Sequence, residues 1–251
     1  MKKFVLLIIV VGYTSSAYTQ DRKRFLMDIY EYNEEMNALV NRVIDSLGGK
    51  YQNLNMGTYQ VNGSIAYSTQ DTALFDFYYY KENWSRLDQK IKDDYRFFVR
   101  HGSKGWQSIE SADKISRNKL SRLSLEEEDH FSFYRNNLFL YDKHNLELYY
   151  EGEVEAGELS MYILRLAGFS YGEEMYYISK KTYRPVMKQV HILKRNYQAV
   201  IHYTLGDYLK IKGIWLPHEI GIKKEEESKL FKIYGYNFPV KMDESMFIVK
   251  D

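Results

Sequence analysis

Beyond Gly49 the chain is written almost entirely in short segments rich in Tyr, Phe, Val and Ile, parted by Gly, Asn or Asp. That rhythm limits the fold more than any other feature. Aromatic and β-branched side chains at alternating positions suit a pleated, half-buried surface, and the parting residues are those that turn a chain. The pattern predicts strands near residues 56–66, 72–81 and 84–91, then a pair near 95–100 and 105–109 around the turn His101-Gly102-Ser103-Lys104. After a break it resumes near 147–154, 159–166, 174–179, 185–193, 197–211, 216–224, 229–238 and 247–249. Period two places Phe75, Phe77 and Tyr79 on one face of their strand, and Tyr95, Phe97 and Val99 on one face of theirs. The 25 tyrosines belong to the same picture, since tyrosine fits a surface that is apolar along its body and wet at its tip.

Two segments have a different period. Phe25, Ile29, Tyr32, Met36, Leu39, Val43 and Leu47 recur at helical spacing, which predicts a helix over 22–47 stopped by Gly48-Gly49. Between residues 115 and 143 the alternation is lost. There Ser124 and Glu127 fit a capping box, and Phe131, Tyr134, Leu138 and Tyr141 share a helical face, so a second helix is expected. The fold class is therefore mainly β within α+β: a curved antiparallel sheet forming an incomplete barrel packed on helices, because a sheet this long buries its apolar face only by curling.

At the N-terminus Lys2 and Lys3 precede an apolar run over 4–11 and a small, polar stretch over 12–20, the layout of a secretory signal peptide. A membrane span needs about 20 apolar residues, more than this run supplies. Residues 1–20 are expected to be removed on export and 21–251 to form a single domain, soluble in the periplasm. With no cysteine, disulfides, cysteine-linked lipid anchors and thiolate zinc sites are excluded. Charges of 35 basic and 34 acidic residues are interspersed, leaving no basic stripe for nucleic acid.

Catalytic signatures are weak. Gly168-Phe169-Ser170-Tyr171-Gly172 matches a nucleophile elbow in letters, but strands flank it on both sides, whereas the elbow needs a strand-to-helix turn over a parallel sheet. A hairpin turn is the expectation. Six histidines, at 101, 130, 144, 191, 202 and 218, lack metal-site spacing, although His191 and His202 fall in consecutive predicted strands. Neither paired carboxylates nor a phosphate loop can be read, so no catalytic residue, metal or cofactor is assigned and the chain is expected not to be an enzyme. An apolar ligand needs only a concave apolar surface, which the aromatic strand faces could line or could simply fill as core.

Several elements in order resemble the periplasmic outer-membrane lipoprotein carrier superfamily, the LolA/LolB-like proteins, in the form met among Bacteroidota-type envelope proteins. These are Leu47-Gly48-Gly49-Lys50, the turn Gly102-Ser103-Lys104-Gly105-Trp106, and Met175-Tyr176-Tyr177-Ile178-Ser179 with Thr182 and Pro185. The stretch Tyr208 to Pro217, with Gly213-Ile214-Trp215-Leu216-Pro217, and the closing set Asn237, Asp243, Glu244, Ser245, Met246 and Phe247 follow. Ser179 stands where that family has an aspartate, and Arg86 is carried over without the proline that often precedes it. The resemblance implies an incomplete barrel with an apolar cavity for lipid or lipoprotein acyl chains. The candidate lining is Phe75, Phe77, Tyr79, Arg86, Tyr95, Phe97, Val99 and Trp106. An envelope membrane protein as a further partner and a monomeric state go with that reading. A sensor or protein-interaction module, or a small-molecule enzyme using the cavity, are the alternatives on the same fold.

Overall fold

A computed structural model describes residues 34–50, 56–69, 71–81, 84–111, 114–121, 137–139, 141, 144–195 and 197–248. The chain divides into two compact units, residues 1–39 and 40–251. Residues 34–39, the described part of the first, are helical. In the second, the helix runs to residue 46 and the rest is dominated by one antiparallel sheet.

Its strands are β1 (Tyr59–Tyr67), β2 (Thr72–Lys81), β3 (Trp84–Ile91), β4 (Asp94–His101), β5 (Lys104–Ser111), β6 (Lys114–Lys119), β7 (Glu147–Ala156), β8 (Leu159–Phe169), β9 (Gly172–Ser179), β10 (Pro185–Lys194), β11 (Tyr197–Ile211), β12 (Ile214–Lys224) and β13 (Glu227–Asn237). The spatial order β6-β5-β4-β3-β2-β1-β13-β12-β11-β10-β9-β8-β7 is two hairpin meanders joined where β1 pairs with β13. The first and last strands thus meet in the middle, and β6 and β7, consecutive in sequence, are the two edges of a sheet that does not close. The polar β6 suits an edge: Lys114, Arg117 and Lys119 discourage pairing with another chain.

One face carries the core. Buried and exposed positions alternate along β1, β2 and β12, and the buried sets meet across the sheet: Val61 opposite Phe77, Ile65 opposite Phe231, Phe231 opposite Ile220, Ile220 opposite Leu205. Directly opposed residues of an antiparallel pair point to the same side. The cross-strand register therefore extends this core-bearing face from β2 through Leu87 on β3 to Phe98 on β4, and the other way to Val190 and Ile192 on β10. Gly63 sits where β1 is bulged against β13; a Cβ there would come 2.1 Å from the Lys232 carbonyl oxygen.

The helix buries Val43, Ile44 and Leu47 and ends as its glycines predict, with φ of 108° at Gly48 and 87° at Gly49, and the Gly49 amide bonded back to the Ile44 carbonyl at 2.9 Å. Its C-terminal end is clasped. The Leu47 carbonyl accepts from the Trp215 amide at 3.1 Å, the Ser46 hydroxyl donates to the Tyr183 carbonyl at 2.9 Å, and the Arg184 guanidinium lies 3.6 Å from the Trp215 ring centre. Tyr208 donates to the Pro185 carbonyl at 2.8 Å. Three of the sequence elements quoted above, Leu47-Gly48, Thr182 to Pro185 and Tyr208 to Pro217, thus come together around one helix end.

Twelve of the thirteen strands coincide with predicted ones to within a few residues. β6 was not anticipated, since Lys-Ile-Ser-Arg-Asn-Lys offers no apolar alternation. Most of the expected second helix lies outside the described residues; Asn137–Phe139 form a 3₁₀ turn, with Leu138 and Phe139 buried. The strand expected near 247–249 is corrected as well. Glu244–Phe247 form a 3₁₀ turn, because Asp243 accepts from the Ser245 amide at 2.9 Å and caps it. Gly168 to Gly172 is a hairpin turn between β8 and β9, as expected.

Candidate ligand-binding faces of the sheet

The eight side chains singled out as lining divide between two faces. Phe75, Phe77 and Tyr79 stand together on the core-bearing face of β2, all below 10% exposed. Tyr59 stacks on Tyr79 with ring centres 4.8 Å apart, and Phe75 meets Phe231 edge-on at 5.5 Å. Across the sheet Phe77 is opposite Leu87, and Leu87 is opposite Phe98. Phe98, not its neighbours, therefore continues the aromatic surface onto β4.

Arg86, Tyr95, Phe97, Val99 and Trp106 lie on the opposite face. Arg86 is paired with Val99 and Val99 with Trp106; Lys90 is paired with Tyr95, and Asp88 with Phe97. Arg86 Nε donates to Asp88 at 2.7 Å, and its Nη1 to the Met246 carbonyl at 3.0 Å. Its guanidinium lies 5.0 Å from the Phe97 ring centre. Burial alone would lower the Arg86 pKa, but the hydrogen bond and charge of Asp88 outweigh it, so the guanidinium is held charged. Burial and the hydrogen bond to the Asp88 carboxylate push the Tyr95 phenol up to about 12.

The C-terminal segment lies over the Arg86 end of this patch. Phe247 is fully buried, with its ring 5.6 Å from Tyr80 and 6.2 Å from Trp84. Tyr80 donates to Glu244 at 2.8 Å, and Lys81 sits 3.5 Å from the same carboxylate while resting 3.9 Å from the Trp84 ring centre. Asp243, Glu244, Met246 and Phe247, quoted above as a closing element, serve to lay this strap on β3 and β4.

On the far flank of the core-bearing face, sequence reasoning missed a polar cluster. Glu174 and Lys188 are paired at 2.8 Å with side chains 2% and 1% exposed. Tyr171 donates to Glu174 Oε1 at 2.8 Å; Tyr176 and Asn137 donate to Oε2 at 2.5 and 3.0 Å. Burial pushes the Glu174 carboxyl up, but the Lys188 charge and these hydrogen bonds overcome it and hold the group below the usual range. Asn137 ties the turn 137–139 to this site. Nothing in Gly172-Glu173-Glu174 marks one glutamate as buried; only the strand's alternation, read with a known face, could have done so.

A shallow open groove of about 720 Å³ crosses the opposite face at the far end of β11–β13 and β1. Ala66, Leu230, Gly221 and Thr204 follow one another across four strands along its floor, which is low because two of the four carry little or no side chain. His202 and Lys223 form part of its lining. His191 and His202 do share a face of neighbouring strands, offset by two positions, but His191 is engaged with Gln189 at 3.2 Å and lies 3.8 Å from Glu173. No metal-binding group of histidines and carboxylates exists among the described residues.

No family model matches the sequence, and no curated protein matches it. Solved structures do. A LolA superfamily protein from Nitrosomonas europaea superposes with a TM-score of 0.55 at 12% identity, over 82% of this chain and 96% of its own. The fold is LolA-like. A DUF1329 family protein from Desulfovibrio piger gives 0.53 at 13% identity, over 85% and 97%. A domain described as outer membrane lipoprotein-sorting, from Vibrio parahaemolyticus, gives 0.52 at 10% identity over 79% and 92%. Identities this low make the likeness one of fold. Within that fold the Ser179 departure is accommodated: its hydroxyl accepts from the Thr182 amide at 3.4 Å and its carbonyl from the Tyr183 amide at 2.8 Å, so serine forms the turn.

Proposed function

We propose that this chain is an exported envelope protein that binds lipid or lipoprotein acyl chains on the core-bearing face of its open sheet. The observation that carries this is the continuous aromatic surface from Tyr59 through Phe75, Phe77 and Tyr79 to Phe98, on a sheet left open between β6 and β7. An alkyl chain laid there would gain roughly 0.8 kcal/mol per buried methylene. Phe75, Phe77 and Tyr79 are the lining. Arg86, Tyr95, Phe97, Val99 and Trp106 stand on the other face, where the strap around Phe247 holds Arg86, and would meet a ligand only on that side.

Residues 1–20 are the export signal and the remainder works as one periplasmic, monomeric binding domain that passes its cargo to an envelope membrane protein. It needs no cofactor and performs no bond chemistry. Among the described residues no helix is long and apolar enough to cross a membrane. Native mass spectrometry of the mature protein purified from a bacterial envelope, followed by denaturing extraction, tests the proposal. Co-purified phospholipid or acylated peptide is the expected result. A clean apo mass that stays unchanged after addition of lipid or lipopeptide would overturn it.

A further inference from the structure

Basic side chains on the core-bearing face are not treated alike. Lys188 is answered by Glu174 at 2.8 Å. Arg96 on β4 has no such answer: its Nε is sealed from solvent and has no hydrogen-bond partner among the described residues. Its directly opposed neighbour on β3, Gln89, is buried and gives its Oε1 to the Tyr67 hydroxyl at 3.1 Å. On β3 to β5, Asp88 and Glu110 stand on the opposite face, and Asp88 is already committed to Arg86. Asp94, at the start of β4, forms no ion pair with Arg96.

The position of Arg96 gives the unmatched donor a meaning. Phe75, Gln89, Arg96 and Ile109 follow one another across β2, β3, β4 and β5 on a single face. Two strand spacings, about 10 Å, separate Arg96 from Phe75. Arg100 lies four residues on along the same face, beyond Phe98, its Nε turned to the Gly102 carbonyl at 3.3 Å. A cationic edge thus borders the aromatic surface. A desolvated guanidinium N–H without an acceptor is a destabilised group, and an oxyanion is the acceptor that suits its planar fork.

We propose that Arg96 is a headgroup site, which takes the phosphate or carboxylate of an acyl-chain amphiphile while the chains lie on the surface that starts at Phe98 and Phe75. The proposal rests on the acyl-chain reading above and adds to it a class of ligand: an anionic amphiphile rather than a neutral one.

Isothermal titration calorimetry on the mature protein tests it with three probes: dioctanoyl phosphatidic acid, dioctanoylglycerol and inorganic phosphate, the lipids kept below micelle-forming concentrations. The expected result is a preference of about tenfold or more for the phosphatidic acid over the glycerol, the scale of one charge-assisted hydrogen-bonded contact. Arg96→Gln should bring that ratio close to one, and Arg96→Lys should keep part of it, which separates charge from a folding defect. Equal binding of the two lipids by the native protein would overturn the headgroup site and leave the acyl-chain reading standing. Binding of neither would remove both. Inorganic phosphate binding as tightly as the phosphatidic acid would overturn the assignment in favour of a free oxyanion.

Discussion

On the β8–β10 flank Glu174 and Lys188 meet at 2.8 Å with 2% and 1% of their side chains exposed; on the β2–β4 flank Arg86 and Asp88 meet at 2.7 Å with 22% and 14% exposed. The contact lengths are nearly equal, yet the surroundings differ in kind. Glu174 and Lys188 stand on the core-bearing face, and the carboxylate receives three further hydrogen bonds from Tyr171, Tyr176 and Asn137. The Arg86–Asp88 pair lies on the other face, beneath a strap of C-terminal chain. Removing charges from water costs far more than one contact returns, so a deeply buried pair persists only when its remaining lone pairs and protons are matched. The lesson is that burial and the completeness of the network, more than distance, set what each pair is worth.

Breaking the inner pair should have the largest effect. Glu174→Gln or Lys188→Met leaves one buried charge without its partner and should destabilise the fold by about 3–5 kcal/mol in urea titrations, while the double variant recovers much of that loss. A single variant costing less than about 1 kcal/mol would place the pair in the same class as a surface contact. The acid response sharpens the point. The Glu174 carboxyl is held below its ordinary range in the fold, so the stability it contributes is present above the unfolded pKa near 4.5 and is lost as pH falls through the depressed folded value. Glu174→Gln should flatten that part of the stability profile.

Phe247→Ala comes next. Removing a fully buried ring should cost about 3 kcal/mol and speed amide exchange in β3 and β4, against which the strap lies. Unchanged exchange there would show that the strap does not shield the outer pair. Arg86→Gln should be milder, about 1 kcal/mol, because Asp88, 14% exposed, keeps more contact with water than Glu174 at 2%.

The smallest effect concerns Tyr95. Its phenol is pushed up to about 12, so the fold holds that proton more tightly than the unfolded chain, whose tyrosines titrate near 10. The contribution to stability is complete below pH 10 and declines as pH rises from there through about 12. The difference in phenolate absorbance between the native protein and Tyr95→Phe should show this late titration; a midpoint near 10 would mean that neither burial nor the Asp88 contact holds the proton.

Much of this was legible in the sequence. The segments that became β2 and β3 were bounded by turn residues and coincide with the strands observed, and Gly48-Gly49 marked the helix end. Less legible was the side taken by the stripe Tyr95, Phe97 and Val99. Alternation states that these residues share a face but not which face, and a single apolar residue between them, Phe98, is the one that joins the core. On that side Phe247 packs on Tyr80 and Trp84, and Tyr95 and Phe97 are half-buried. β6 was illegible for the converse reason: an edge strand needs neither alternation nor apolar residues, only backbone partners on β5.

The chain by itself determined the positions of twelve of the thirteen strands, the turns between them and the helix stop, because these rest on local spacing and on residues that tolerate left-handed backbone. Only the tertiary structure decided which side of each strand faces the core, that Glu174 and Lys188 meet in the interior, and that the Arg96 Nε has no hydrogen-bond partner among the described residues. Those outcomes depend on hairpin register, and a shift of one residue reverses every side chain on a strand while leaving its sequence pattern unchanged.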